Sequence, residues 1–157
     1  MKKKKNTLFY SMIVIAVFFP LIAGLIKNFF MTQSALIGIG ALLFDAVFIA
    51  LWSYAGFKAY SMTKSPLIAI LSANALVIVS FVIEIGSLMI TGSLSSFLWT
   101  QVVFFPVFSI VSIFAQLLMA VGMWSDYLLF SIALVIILLS FFTGFLSGKK
   151  QGAQQKT

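Results

Sequence analysis

Five apolar runs of about 20 residues or more follow one another along this chain, with almost nothing ionisable inside them. That pattern leaves few folds open. A bilayer core about 30 Å thick is crossed by an α-helix of about 20 apolar residues. A water-soluble chain that is 62% hydrophobic and 8% charged would lack the polar shell its core requires. The runs cover residues 8–26, 35–57, 66–90, 97–123 and 127–147, between a basic tail at 1–7 and a polar tail at 149–157. No alternating pattern suggests barrel strands, and open strands leave backbone groups unsatisfied in lipid. The sequence therefore predicts an all-α, multi-pass transmembrane helical bundle over residues 8–148, with five spans. Short connections make consecutive helices antiparallel neighbours. Lys27 and Asn28 close the first span, Lys58 the second, and Gly148-Lys149-Lys150 the last, leaving Gln151 to Thr157 disordered.

The charged residues exclude much chemistry. There are three acids (Asp45, Glu84 and Asp126) and ten lysines, with no arginine, histidine or cysteine. Thiolate nucleophiles, disulfides, imidazole bases and soft-metal sites are ruled out, and three scattered carboxylates make a poor hard-metal cage. No cofactor, metal or catalytic residue is expected, and the chain does not read as an enzyme. The net charge of +7 does not point to nucleic acid, because the lysines sit in the tails and in short loops. Membrane lipids with anionic headgroups are the expected partners, and Lys2, Lys3, Lys4 and Lys5 are the expected headgroup anchors.

Lysine placement also orients the chain. With the N-terminus cytoplasmic, Lys2, Lys3, Lys4, Lys5, Lys58 and Lys64 lie inside, and Lys27, Lys149, Lys150 and Lys156 lie outside. A four-crossing alternative, with one of the last two runs re-entrant, brings the tail lysines inside as well. Five crossings are preferred because the stretch from Phe97 to Ser147 carries one charge, Asp126, flanked by two full-length runs. Trp99 and Trp124 bracket the fourth run, and Tyr10, Trp52, Tyr54, Tyr60 and Tyr127 fall near the cytoplasmic interface. The lysine-headed first run reads as an uncleaved signal anchor, with cleavage at Ala23-Gly24 as the alternative.

Polar residues inside the runs are the candidate site. Ser80, Glu84, Ser87 and Thr91 form one helical stripe on the third run, continued by Ala69 and Ala73. Ser34, Gly38, Ala41, Asp45, Trp52 and Gly56 share a face of the second, and Gln101, Ser109, Ser112 and Gln116 a face of the fourth. If these faces converge, Asp45 lies near mid-membrane and Glu84 with Gln101 in the outer half, within reach of Lys27. A carboxylate at that depth costs about 2.5 to 3.5 kcal/mol on insertion scales, so it points inward and finds a partner. Two readings follow. Asp45 and Glu84 either line a proton or cation path, or act as interhelical hydrogen-bond glue with Ser, Asn74 and Gln side chains, at about 0.6 to 2 kcal/mol per contact. Ser140, Gly144 and Gly148 form a small-residue stripe suited to close helix packing, inside the bundle or on a partner helix. Pro20 and Pro106 are expected to kink their helices.

The runs Ala59-Tyr60-Ser61-Met62-Thr63-Lys64-Ser65-Pro66 and Leu117-Leu118-Met119-Ala120-Val121-Gly122-Met123-Trp124-Ser125-Asp126-Tyr127-Leu128 each lead into an apolar helix. In hydropathy rhythm and loop spacing, residues 30–147 resemble bacterial members of the Yip family (Ypt-interacting-protein-like). The resemblance implies five helices, a cytoplasmic N-terminus and a non-enzymatic adaptor role. The expected function is a non-catalytic accessory or interaction protein of a bacterial cytoplasmic membrane, binding a larger membrane protein or a second copy of itself. A small transporter or channel built on Glu84 and Asp45 is the alternative, and a holin-like pore former the third.

Overall fold

A computed structural model of the chain describes residues 14, 17–30, 38–95, 98–120, 122 and 125–154. Every regular element among them is helical. In chain order these are α1 (Val17–Phe30), α2 (Ile39–Met62), α3 (Pro66–Ala73), α4 (Ala75–Thr91), α5 (Leu98–Val102), a 3₁₀ turn (Phe105–Val107), α6 (Phe108–Ala120) and α7 (Asp126–Gln154). Three stretches are long and apolar enough to cross a membrane: Ile39–Met62, Trp99–Ala120 and Asp126–Gln154. The bent pair α3 and α4 makes a fourth when counted as one span. These are the helices of a membrane protein. The basic residues Lys2 to Lys5, with Tyr10, Ser34, Trp124 and Lys156, lie outside the described residues.

Local chemistry explains most boundaries. Ser65 caps α3, its Oγ accepting the Ile68 N–H at 3.4 Å, and Pro66 fills the first position, where no N–H is needed. Gly92 closes α4 in the left-handed region at φ 69°, donating its N–H to Leu88 at 3.0 Å. Two lysine stops fail. The second run is helical through Lys58 to Met62, and the last continues through Lys149 and Lys150 to Gln154, so the tail is helical well past Gly148. Lysine, glutamine and alanine are good helix formers, and a lysine at the membrane surface need not end a helix. At 29 residues α7 is about 43 Å long, so its basic end projects beyond a core of about 30 Å.

The third run is not a straight span. Its two halves meet at Asn74 with a bend of 64°. No proline is involved. The Asn74 side-chain amide donates to the Ile70 carbonyl at 2.9 Å, intruding on the helix ladder, while the residue itself sits at φ −105°, ψ 14°. The bend is held by Trp52, whose indole N–H donates to Asn74 Oδ1 at 3.2 Å. Trp52 is thus a core residue with 0% exposure, not a member of an interfacial belt. It stacks on Phe19 and Phe48 and tilts against Phe141. The fourth run is interrupted at residues 103–107, where Pro106 enters the 3₁₀ turn.

Contacts fix the directions of the main helices. Phe19 of α1 lies on Phe48 and Trp52, and Lys27 on Asp45, so α1 and α2 are antiparallel. The seam between α2 and α7 runs the other way. Gly144 abuts Ser53, Gly148 abuts Phe57, and Gly152 abuts Tyr60, so both helices advance in step and are parallel. The basic ends of α2 and α7 therefore lie at the same end of the bundle, and the acidic start of α7, Asp126, at the other.

Candidate functional site

In α1, Pro20, Ala23, Gly24 and Lys27 are buried along one stripe. Gly24 packs so closely on the Val102 carbonyl that an added Cβ would collide with it. This close approach delivers Lys27 into the bundle. Its side chain is 0% exposed and forms an ion pair with Asp45 of α2, itself 0% exposed. The Lys27 ammonium also donates to Ser109 Oγ at 2.7 Å. Lys27 is thus an interior residue in the body of α1, which continues to Phe30. It does not close the first run at the outer surface, as its place after the apolar residues suggests.

The other oxygen of Asp45 accepts the Ile110 N–H at 3.0 Å. Ile110 is the third residue of α6, where the interruption around Pro106 leaves backbone donors without partners in their own helix. In hydrocarbon an unmatched N–H costs several kcal/mol. A carboxylate from a different helix therefore caps α6, and its negative charge sits at the positive end of the helix dipole.

Glu84 does similar work at the far side of the same segment. Its Oε2 accepts the Ser95 N–H at 3.0 Å, and its Oε1 accepts a hydrogen bond from the Thr100 hydroxyl. Gln101 adds a bond from Nε2 to the Ser95 carbonyl at 2.9 Å. Glu84 and Thr100 are 0% exposed. The two carboxylates bond on either side of the interruption at residues 103–107, Glu84 at Ser95 and Thr100 and Asp45 at Ile110.

The structure thus divides the candidate site. Asp45 gathers Lys27, Ser109 and the α6 amide, while Glu84 gathers Ser95, Thr100 and, through Ser95, Gln101. The remaining candidates bond close by in sequence. Ser80 Oγ donates to its own helix at Leu76, 2.7 Å, and Ser87 Oγ donates to the Ser93 carbonyl at 3.0 Å. Gln116 is exposed on α6. Among the described residues, no buried side-chain nitrogen or oxygen lacks a hydrogen-bond partner, and no group of three or more His, Cys, Asp or Glu is placed to hold a metal ion.

Ser140, Gly144 and Gly148 lie in the α2–α7 seam. Ser53 Oγ donates to the Ser140 carbonyl at 2.7 Å, and a Cβ on Gly144 would fall on the Ser53 backbone. A Cβ on Gly148 would meet the Phe57 carbonyl oxygen at 2.7 Å, and one on Gly56 would strike the Phe141 carbonyl. Close approach here is reciprocal, a glycine of each helix meeting the backbone of the other. A separate apolar crevice of about 290 Å³ is lined by Phe114, Ser131, Ile132, Val135 and Ile136, and neither carboxylate borders it.

Ser95 and Thr100 carry the arrangement without having been singled out in the sequence, while Lys27, expected within reach of Glu84 and Gln101, pairs with Asp45, and Asn74, expected among the glue side chains, bonds Trp52. For Lys27 a signal existed. Small residues precede it at one-turn spacing, at Ala23 and Pro20, and Phe29 and Phe30 continue the apolar run beyond it. Compared with models of protein families, with curated proteins and with solved structures, the chain matches none.

Proposed function

We propose that this chain is a non-catalytic, multi-pass accessory protein of a bacterial cytoplasmic membrane, acting through its surfaces on a larger membrane protein or on a second copy of itself. One observation carries the reading. Both buried carboxylates are engaged by protein donors that tie an interrupted span together, so their chemistry is directed inward. This favours interhelical glue over the transporter or channel alternative, and the same closed bonding argues against a holin-like pore built on these groups. The adaptor role implied by the Yip-like rhythm belongs to the same proposal. Affinity capture from native membranes in mild detergent tests it. A partner or self-association retained at stoichiometric yield is expected; pH-dependent flux from the pure protein in proteoliposomes, abolished by Glu84→Gln, would replace it with the transporter.

For the topology we favour four crossings over five. If α2 and α7 both cross, their parallel direction requires residues 63–125 to make one net crossing, not two. The bend at Asn74 supports α3 and α4 as the re-entrant element. With α1 antiparallel to α2, both termini then fall on one side. Lys27 leaves the surface count, and the other nine lysines share the cytoplasmic side, in the sense of the positive-inside rule. The buried Ala23-Gly24 bond, in the middle of α1, supports an uncleaved anchor.

A further inference from the structure

We propose that the end of the bundle where α2 and α7 finish is a binding face for the phosphate headgroups of anionic phospholipids. The inference rests on the membrane reading above and adds a specific ligand to it. Parallel packing is what builds the face. Because Gly148 and Gly152 seat on Phe57 and Tyr60, the last turns of the two helices are held side by side, and Lys58, Lys64, Lys149 and Lys150 are brought to one end. All four are exposed. Among the described residues the one ion pair is Lys27 with Asp45, so none of the four is neutralised by a carboxylate.

The acids lie elsewhere. Asp45 and Glu84 are buried, and Asp126 begins α7 at the opposite end. Among the described side chains, charge at this end is therefore of one sign. Tyrosines set its depth: the Lys58 ammonium lies 5.2 Å from the Tyr54 ring centre, and the Lys64 ammonium 3.7 Å from that of Tyr60. Tyrosine rings favour the headgroup layer, so ammonium groups resting on them sit at the level of lipid phosphates.

A lysine near an anionic surface contributes about 1 kcal/mol, equivalent to about fivefold in retention for each one removed. The test uses the full chain reconstituted in phosphatidylcholine bilayers with and without phosphatidylglycerol, followed by measurement of the lipid that co-purifies. Wild-type protein should retain phosphatidylglycerol above its share of the bilayer, and added salt should reduce that enrichment. The variant with Lys58, Lys64, Lys149 and Lys150 all changed to Gln should lose it, and the matching Lys→Arg variant should keep it. Enrichment unchanged in the glutamine variant, or insensitive to salt in the wild type, overturns the inference. So does a wild type without enrichment whose lysines instead retain an acidic protein in native membranes. Reconstituted protein with no anionic preference defeats this inference alone, whereas protein that does not enter bilayers defeats the membrane reading beneath it. Should the glutamine variant not fold, the salt response of the wild type decides.

Discussion

The α2–α7 seam and the segment 95–110 hold helices together by opposite means. In the seam, unbroken helices meet through glycines and backbone carbonyls, with Trp52 on Phe141 and Tyr60 edge-on to Phe145. In the segment, the helix is interrupted at residues 103–107, and carboxylates from α2 and α4 accept the N–H groups of Ile110 and Ser95 on either side. Lipid explains the division. Hydrocarbon is as apolar as leucine, so burying a side chain between helices gains little, and what remains is close packing and polar bonds. Where the backbone satisfies itself, packing suffices. Where it does not, a charge is brought in, and a second charge, Lys27, accompanies it.

The largest expected effect comes from separating that pair. Lys27→Met leaves Asp45 buried without its cation and should cost about 3 to 5 kcal/mol, read from unfolding in mixed detergent micelles. A loss under 1 kcal/mol, about the worth of an ordinary polar contact between membrane helices, would place the pair in water and break the contrast between the two regions. Next is the seam. Gly144→Leu drives a side chain into the Ser53 backbone and should cost about 1 to 3 kcal/mol or more, with α2 and α7 forced apart. Engineered cysteine pairs between α2 and α7 would report the separation, and the chain has no cysteine of its own to interfere.

Asn74→Leu removes both the bond to Trp52 and the intrusion on the Ile70 carbonyl. Its cost should be smaller, about 0.6 to 1.7 kcal/mol. The same change should relax the bend between α3 and α4, measurable as a longer spin-label distance between their outer ends; an unaltered distance would move the cause of the bend elsewhere. Smallest is Gly86→Ala. Open space surrounds that position in α4, so the added methyl should stabilise by about 0.5 to 1 kcal/mol through helix propensity alone. A destabilisation there would reveal a contact like those of the seam.

Hydropathy made the apolar helices legible because lipid as solvent demands uninterrupted apolar length, and Ser65-Pro66 and Gly92 mark their own boundaries. The positions of Asp45 and Glu84 inside the runs were equally plain. Their partners were not. Lys27 is 18 residues from Asp45 and Ser109 is 82 from Lys27, and pairing at such separations follows from how helices cross, which periodicity does not encode. A lysine after an apolar run looks the same whether it ends a helix or turns inward. The bend at Asn74 was hidden for a related reason: an asparagine opens a helix when an indole N–H stands ready to donate to its amide oxygen, and Trp52 reads from sequence as an interfacial residue. The parallel seam depends on what residues 63–125 do between two spans, which short loops alone had suggested to be a plain alternation.

Asp45 acts as an internal fastener, and a double-mutant cycle on Lys27 and Asp45 is the sharpest check of that role. Lys27→Met alone should be strongly destabilising, and the pair Lys27→Met with Asp45→Asn should regain most of the loss, since a neutral amide oxygen still accepts the Ile110 N–H. Losses that simply add, with no recovery in the double variant, would contradict the account.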